Sequence, residues 1–170
     1  MKKIVKLIGI SLMTMALFTM NAFAMQHVEE SSVEEESVLL PKTVKSHRAS
    51  ETAVERGDFF SRADVVISNQ GDGNIGALAV AYMNHNVDEI YITIYLDCWN
   101  EETERWEQVD YYDAEYYAED YPEGLSEATL DITFLDQDKG HYYRLRGVFS
   151  AVYDYDYEGF SPTTSGIWIE

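Results

Sequence analysis

The sequence predicts an all-β fold, an antiparallel β-sandwich immunoglobulin-like in general style, with a small closed β-barrel as the alternative. Three observations carry this. From Phe59 onward the chain is a series of short runs rich in β-branched and aromatic residues, separated by glycine, asparagine and aspartate turn signals. The run "DEIYITIYLDCW" alternates throughout, with Ile90, Ile92, Ile94, Leu96 and Cys98 on one face and Tyr91, Thr93, Tyr95, Asp97 and Trp99 on the other, which is the period of a strand. Helical periodicity is weak everywhere. Seven or so short strands fit two packed sheets.

The elements follow in order. "ADVVIS" and "IGALAVAYM" flank "NQGDGN", a dense turn signal, and "NEETER" reads as a hairpin loop between "DEIYITIYLDCW" and "RWEQVDYY". In "ATLDITFL" the residues Ala128, Leu130, Ile132 and Phe134 fall in step, and "HYYRLRGVFSAVYDY" and "SGIWIE" complete the set.

Upstream of the domain, Lys2, Lys3 and Lys6 precede an apolar run from Leu7 to Met20, and then comes Ala22-Phe23-Ala24. A basic region, a short apolar region and an A-x-A site are the signature of a cleaved leader. Residues 1–24 are therefore expected to be a signal peptide, with a secreted, extracellular product beginning at Met25. The apolar run is shorter than the roughly 20 residues that span a bilayer, so no membrane insertion is expected after cleavage. Residues 25–57 hold scattered aliphatics, no aromatics and runs of glutamate, which predicts a disordered acidic linker ahead of a domain over residues 58–170. Leu40-Pro41-Lys42-Thr43 lacks the glycine and apolar tail of a cell-wall sorting signal, and Arg56-Gly57-Asp58 is a three-letter match to integrin ligands at a junction.

The chain has 12 basic and 31 acidic residues; loss of the three leader lysines leaves nine against 31, a net charge of −22. Such a field repels phosphate backbones and anionic lipid, so nucleic acid is not an expected partner. Cys98 is the single cysteine, so a secreted chain must be held by its packed core rather than by an internal disulfide.

"DYYDAEYYAEDYPEG", from Asp110 to Gly124, packs five tyrosines and six carboxylates into fifteen positions. Read as a strand, Asp110, Tyr112, Ala114, Tyr116, Ala118 and Asp120 share one side, apolar through its middle and expected to face the core, while Tyr111, Asp113, Glu115, Tyr117, Glu119 and Tyr121 share the other. "YDYDYEGF" repeats the pattern with Tyr153, Tyr155 and Tyr157 on one side. Tyrosine suits half-exposed strands, and acids keep wet faces soluble and guard edges. The same mixture also suits binding, since flat apolar rings beside hydrogen-bond acceptors fit sugar hydroxyls or basic protein patches. Tyr111, Tyr117, Tyr121, Asp113 and Glu115 are the candidate ligand-binding residues.

Other chemistry is sparse. The sequence has no zinc-protease, dithiol, nucleophile-elbow or phosphate-loop motif, and no cofactor or metal is expected. Cys98 with His141 is a conceivable nucleophile pair, but Cys98 falls in step with Ile94 and Leu96, which suits a small packed hydrophobe. "DQDKG" and "NQGDGN" offer oxygens around glycine without completing a calcium loop.

The segments "RGDFFSRADVVISNQGDGNIGALAVAYMNHNVDEIYITIYLDCW" and "GHYYRLRGVFSAVYDYDYEGFSPTTSGIWI" resemble a family of small secreted proteins of Gram-positive bacteria classed as a domain of unknown function. The resemblance runs from Arg56 to Ile169 and implies secretion and a β fold, with no site residues to carry over. The expected function is a secreted non-enzymatic module that binds an extracellular glycan or protein through the tyrosine and acid face. The alternatives are a secreted hydrolase using unidentified carboxylates and a structural or inhibitory extracellular protein.

Overall fold

A computed structural model of the chain describes residues 37–53 and 58–170. Among the described residues nine strands follow one another: β1 (Ser46–Thr52), β2 (Phe60–Gly71), β3 (Asn74–Val87), β4 (Glu89–Asn100), β5 (Arg105–Tyr117), β6 (Leu125–Phe134), β7 (His141–Tyr153), β8 (Asp156–Phe160) and β9 (Ile167–Ile169). They form two antiparallel sheets, β1-β2-β3-β6 and β5-β4-β7-β8, with β9 continuing the β8 edge along β7. The sheets pack face to face as a sandwich, and no barrel closes.

The hairpins arise where the turn chemistry demands them. Gly71, Asp72 and Gly73 all take positive φ between β2 and β3, which the "NQGDGN" signal anticipates. Between the sheets lies a continuous apolar core. Ala63, Val65 and Ile67 of β2, Ile90, Ile92, Ile94 and Leu96 of β4, and Leu145, Phe149 and Ala151 of β7 are all fully buried. These are every second residue, so one face of each sheet is apolar.

Three expectations change. The disordered linker over residues 25–57 does not hold for residues 37–53. There β1 pairs with β2 in register from Ser46↔Ser68 to Thr52↔Arg62, and Leu40 donates its N–H to Gly166 at 2.9 Å. The folded body therefore starts upstream of residue 58. The sequence hid this because an edge strand buries little: within β1 only His47 and Ala49 turn partly inward. The signal peptide expected over residues 1–24, and residues 25–36 and 54–57 of the expected linker, lie outside the described residues. Second, "YDYDYEGF" is a hairpin rather than one strand: β7 stops at Tyr153, Asp154 takes φ 60°, and Tyr155 stands at the tip with 98% exposure. Third, Tyr112 lies opposite buried Ile94 on the core-facing side as parity requires, yet it is 48% exposed, because β5 is an edge strand.

Candidate functional site

The outer face of the five-stranded sheet is built on β4, which has β5 on one side and β7 on the other. Cross-strand rows follow from the register. Tyr91 lies between Glu115 and Ser150, Thr93 between Asp113 and Val148, and Tyr95 between Tyr111 and Arg146. Tyrosines recur every fourth residue of β4, so the two tyrosine rows stand about 13 Å apart. Each tyrosine of β4 meets one of β5: Tyr95 and Tyr111, in register, have ring centroids 6.3 Å apart with planes tilted by 38°, and Tyr91 meets Tyr117, diagonal to it and opposite Glu89, edge to face at 6.2 Å.

The phenols are tied to the carboxylates beside them. Tyr117 donates its hydroxyl to Glu115 at 2.5 Å, and Tyr91 donates to Glu89. The Glu115 hydrogen bond is the chief reason that the Tyr117 phenol is pushed up in pKa. Burial, followed by the Glu89 bond, raises Tyr91. Burial also raises Tyr95, reinforced by the charge of Asp113 and opposed by that of Arg146. All three phenols therefore keep their protons at neutral pH and remain hydrogen-bond donors.

Of the five sequence-predicted residues, Tyr111, Asp113, Glu115 and Tyr117 share this face. Tyr121 does not. A 3₁₀ turn over Ala118–Asp120 breaks the two-residue period, and Tyr121 packs against the core with its ring 6.5 Å from that of Tyr116. Tyr91, Tyr95 and Arg146 complete the face. The alternation of β4 already put the first two on its outer side; the pairing with β5 that makes them partners of Tyr117 and Tyr111 is long-range and leaves no local signal.

Beside the tyrosines the same face carries an ion cluster. Asp97 and Arg144 are fully buried and joined at 2.9 Å, and Arg146 grips the same carboxylate with bonds of 2.7 and 2.9 Å. The guanidinium of Arg146 lies over the Tyr95 ring at 4.8 Å and that of Arg144 over Trp106 at 4.7 Å. Trp106 reaches from β5 as far as Gly166. A Cβ there would come within 2.6 Å of the indole, so glycine is what lets the ring approach this backbone so closely. The cluster fixes Arg146, and Arg146 fixes one end of the tyrosine face.

At the end of the sandwich reached by the β4–β5 and β6–β7 loops there is a cleft of about 540 Å³, lined by Cys98, Glu101, Glu107, Asp136, Asp138 and His141 among others. The Cys98 thiol is half-buried rather than sealed in the core, and burial raises its pKa, which holds it in the un-nucleophilic protonated form. "DQDKG" docks on "NQGDGN", with the Gln137 N–H donated to Gly73 at 2.9 Å and Lys139 3.4 Å from Asp72. Among the described residues no three histidine, cysteine or acidic side chains gather so as to hold a metal ion. No family model matches the chain, and no curated protein matches it significantly.

Proposed function

We propose that this chain is an extracellular, non-enzymatic binding module whose outer tyrosine face, on β4 and β5, takes a glycan. The supporting observation is that Tyr111 and Tyr117 stand on β5 with exposed Asp113 and Glu115 between them, each ring backed by a tyrosine of β4, the half-buried Tyr91 behind Tyr117 and the buried Tyr95 behind Tyr111. Rings at two points stack on sugar faces, and carboxylates accept from hydroxyls. The phenols are oriented before any ligand arrives, which lowers the ordering cost of binding. The test is a glycan array followed by calorimetry. Tyr111→Ala and Tyr117→Ala should each weaken a retained glycan about tenfold without lowering the melting temperature, whereas Tyr155→Ala at the hairpin tip should change nothing. Equal binding by all three variants would defeat the reading. A protein ligand is told apart by salt, which weakens a cationic surface on this anionic face and leaves a neutral glycan unaffected.

One observation favours a second reading, a hydrolase. The end cleft brings Glu101, Glu107, Asp136 and Asp138 to one concavity, which is what general acid and base chemistry needs. Turnover of an oligosaccharide or peptide that is abolished by Glu107→Gln, and spared by Tyr111→Ala, would transfer the function from the face to the cleft.

A further inference from the structure

The two edges of the sandwich are treated differently. Along one, Val38–Leu40 pairs with Gly166 at the five-stranded sheet and β1 then pairs with β2 in the four-stranded sheet, so one continuous segment closes the seam. Along the other, β5 and β6 end their respective sheets, and each forms a backbone ladder with one neighbour only, β5 with β4 and β6 with β3. Tyr116 bridges this second seam at one point by donating its hydroxyl to the Thr129 carbonyl at 2.8 Å. Beyond it the seam opens into a groove of about 560 Å³ between Asp110–Tyr112 and Ile132–Leu135.

We propose that this open seam is a docking site for an extended peptide segment of a partner protein, with alternating aliphatic and basic residues, added as a strand to β5. Three observations choose that occupant. The groove exposes apolar side chains, Tyr112 at 48% and Leu135 at 63%. A strand edge that is only guarded against aggregation needs charge and not an apolar slot. The rim is anionic: Asp110, Asp113 and Glu115 on β5 and Asp131 and Asp136 on the β6 side are all exposed. That charge selects lysine and arginine. It also rejects a second copy of this chain, whose own β5 is equally acidic, and residues 25–36, which hold five glutamates. Finally, the molecule already closes its other seam with this chemistry. Leu40 packs there and Leu39 bridges to Gly166, while Lys42 sits 3.2 Å from the centre of the Trp168 ring and Lys45 pairs with Glu170 at 2.5 Å. On β5 the Tyr111 N–H is satisfied by its neighbour's Asp110 carboxylate at 2.8 Å, a local stand-in that the carbonyl of an incoming strand would replace.

The experiment uses the full secreted chain and a fluorescently labelled nonapeptide of alternating lysine and valine, with two controls: glutamate in place of lysine, and N-methylation of alternate backbone nitrogens. The lysine peptide should bind saturably at micromolar concentration, and the glutamate peptide should not. N-methylation should weaken binding about tenfold, because ladder hydrogen bonds are lost while charge and shape are kept. Tyr112→Ala and Leu135→Ser should weaken it about as much, and Tyr111→Ala and Tyr117→Ala on the glycan face should do so less. Binding that survives N-methylation would be adsorption of a polycation and would overturn the proposal, as would no binding at all. A concentration-dependent dimer in sedimentation that Leu135→Ser abolishes would assign the seam to a second copy instead.

Discussion

One sandwich edge is clasped by a backbone-paired segment and the other is open, and the side chains along the two edges differ in kind. The clasp contributes small and aliphatic groups, Leu40, Val44 and Ala49, that slip beneath the rim of the core. The open edge presents β5, whose exposed positions are mostly tyrosine and carboxylate. A strand can cover a seam only if it has apolar groups to put into it. β5 spends its residues on its outer face, so the seam beneath it stays partly uncovered. The same choice that makes β5 a poor lid leaves tyrosine rings and carboxylates exposed along it.

The largest test removes the clasp. A chain beginning at Asp58 lacks β1 and the Leu40–Gly166 contact and should lose about 4 kcal/mol or more, a large part of the stability of a domain this size. A chain beginning at Ser37 should melt like the full-length protein. Limited proteolysis should accordingly yield a resistant core that starts near Ser37. A core starting near Gly57 with undiminished stability would show that the clasp is ornamental and that the two edges are equivalent after all.

The next test strikes the roof that ties the clasp to β5, from Asp97 through Arg144 and Trp106 to Gly166 and Leu39. Asp97→Ala leaves the fully buried Arg144 without its carboxylate and should cost about 3 kcal/mol. Trp106→Ala removes the ring between Arg144 and Gly166 and should cost about as much. Urea denaturation measures both. If Asp97→Ala were silent, the cluster would hold nothing in place.

Much of this was legible in the sequence, and the exceptions share a cause. The alternation in β4 and β6 gave the strands, their inward faces and the sandwich, because burial of one face imposes a period of two. The glycine and aspartate turns gave the β2–β3 hairpin. The parity of β5 was legible too, with Tyr112, Ala114 and Tyr116 on the inner side. What parity does not give is depth. Tyr112 and Tyr116 have the same parity, and the second reaches β6 with its hydroxyl while the first lines the open groove beside it. β1 was invisible because its partner supplies the hydrophobicity. Tyr121 was misplaced because a single 3₁₀ turn resets the phase. The aromatic partners Tyr91 and Tyr95 were on the page as residues but not as a site, since their pairing with β5 is a property of the sheet.

Within the open seam, the difference in depth makes a smaller and sharper test. Tyr116→Ala should cost about 2 kcal/mol for a partly buried ring, and Tyr116→Phe about 1 kcal/mol for the lost bridge to Thr129. Tyr112→Ala should stay within about 0.5 kcal/mol. Equal costs for the two alanine variants would mean that the seam is as closed as its counterpart.

The smallest effect is one that vanishes at neutral pH. Burial first, and then the neighbouring Tyr121 and Tyr112, raises the Tyr116 phenol at the open seam above its ordinary value of 10.0. On the outer face Tyr117 is raised chiefly by its hydrogen bond to Glu115. A folded-state pKa above the unfolded one means that below pH 10 both states hold the proton and stability is fully present. Above pH 10 the unfolded chain releases it first, so the native state loses ground as pH rises toward the folded pKa. Stability measured in urea should therefore be flat from pH 7 to 9 with respect to these groups and fall beyond 10, and tyrosinate absorbance should develop in two waves. Tyr116 belongs to the wave that accompanies unfolding. Tyr116→Phe should take one phenol out of the late wave at any salt concentration, because burial sets its position. Glu115→Gln should move Tyr117 into the early wave, because a neutral amide no longer opposes the phenolate. If Tyr116 titrates early instead, water already fills the seam around it and the open edge is wider than its single hydroxyl bridge suggests.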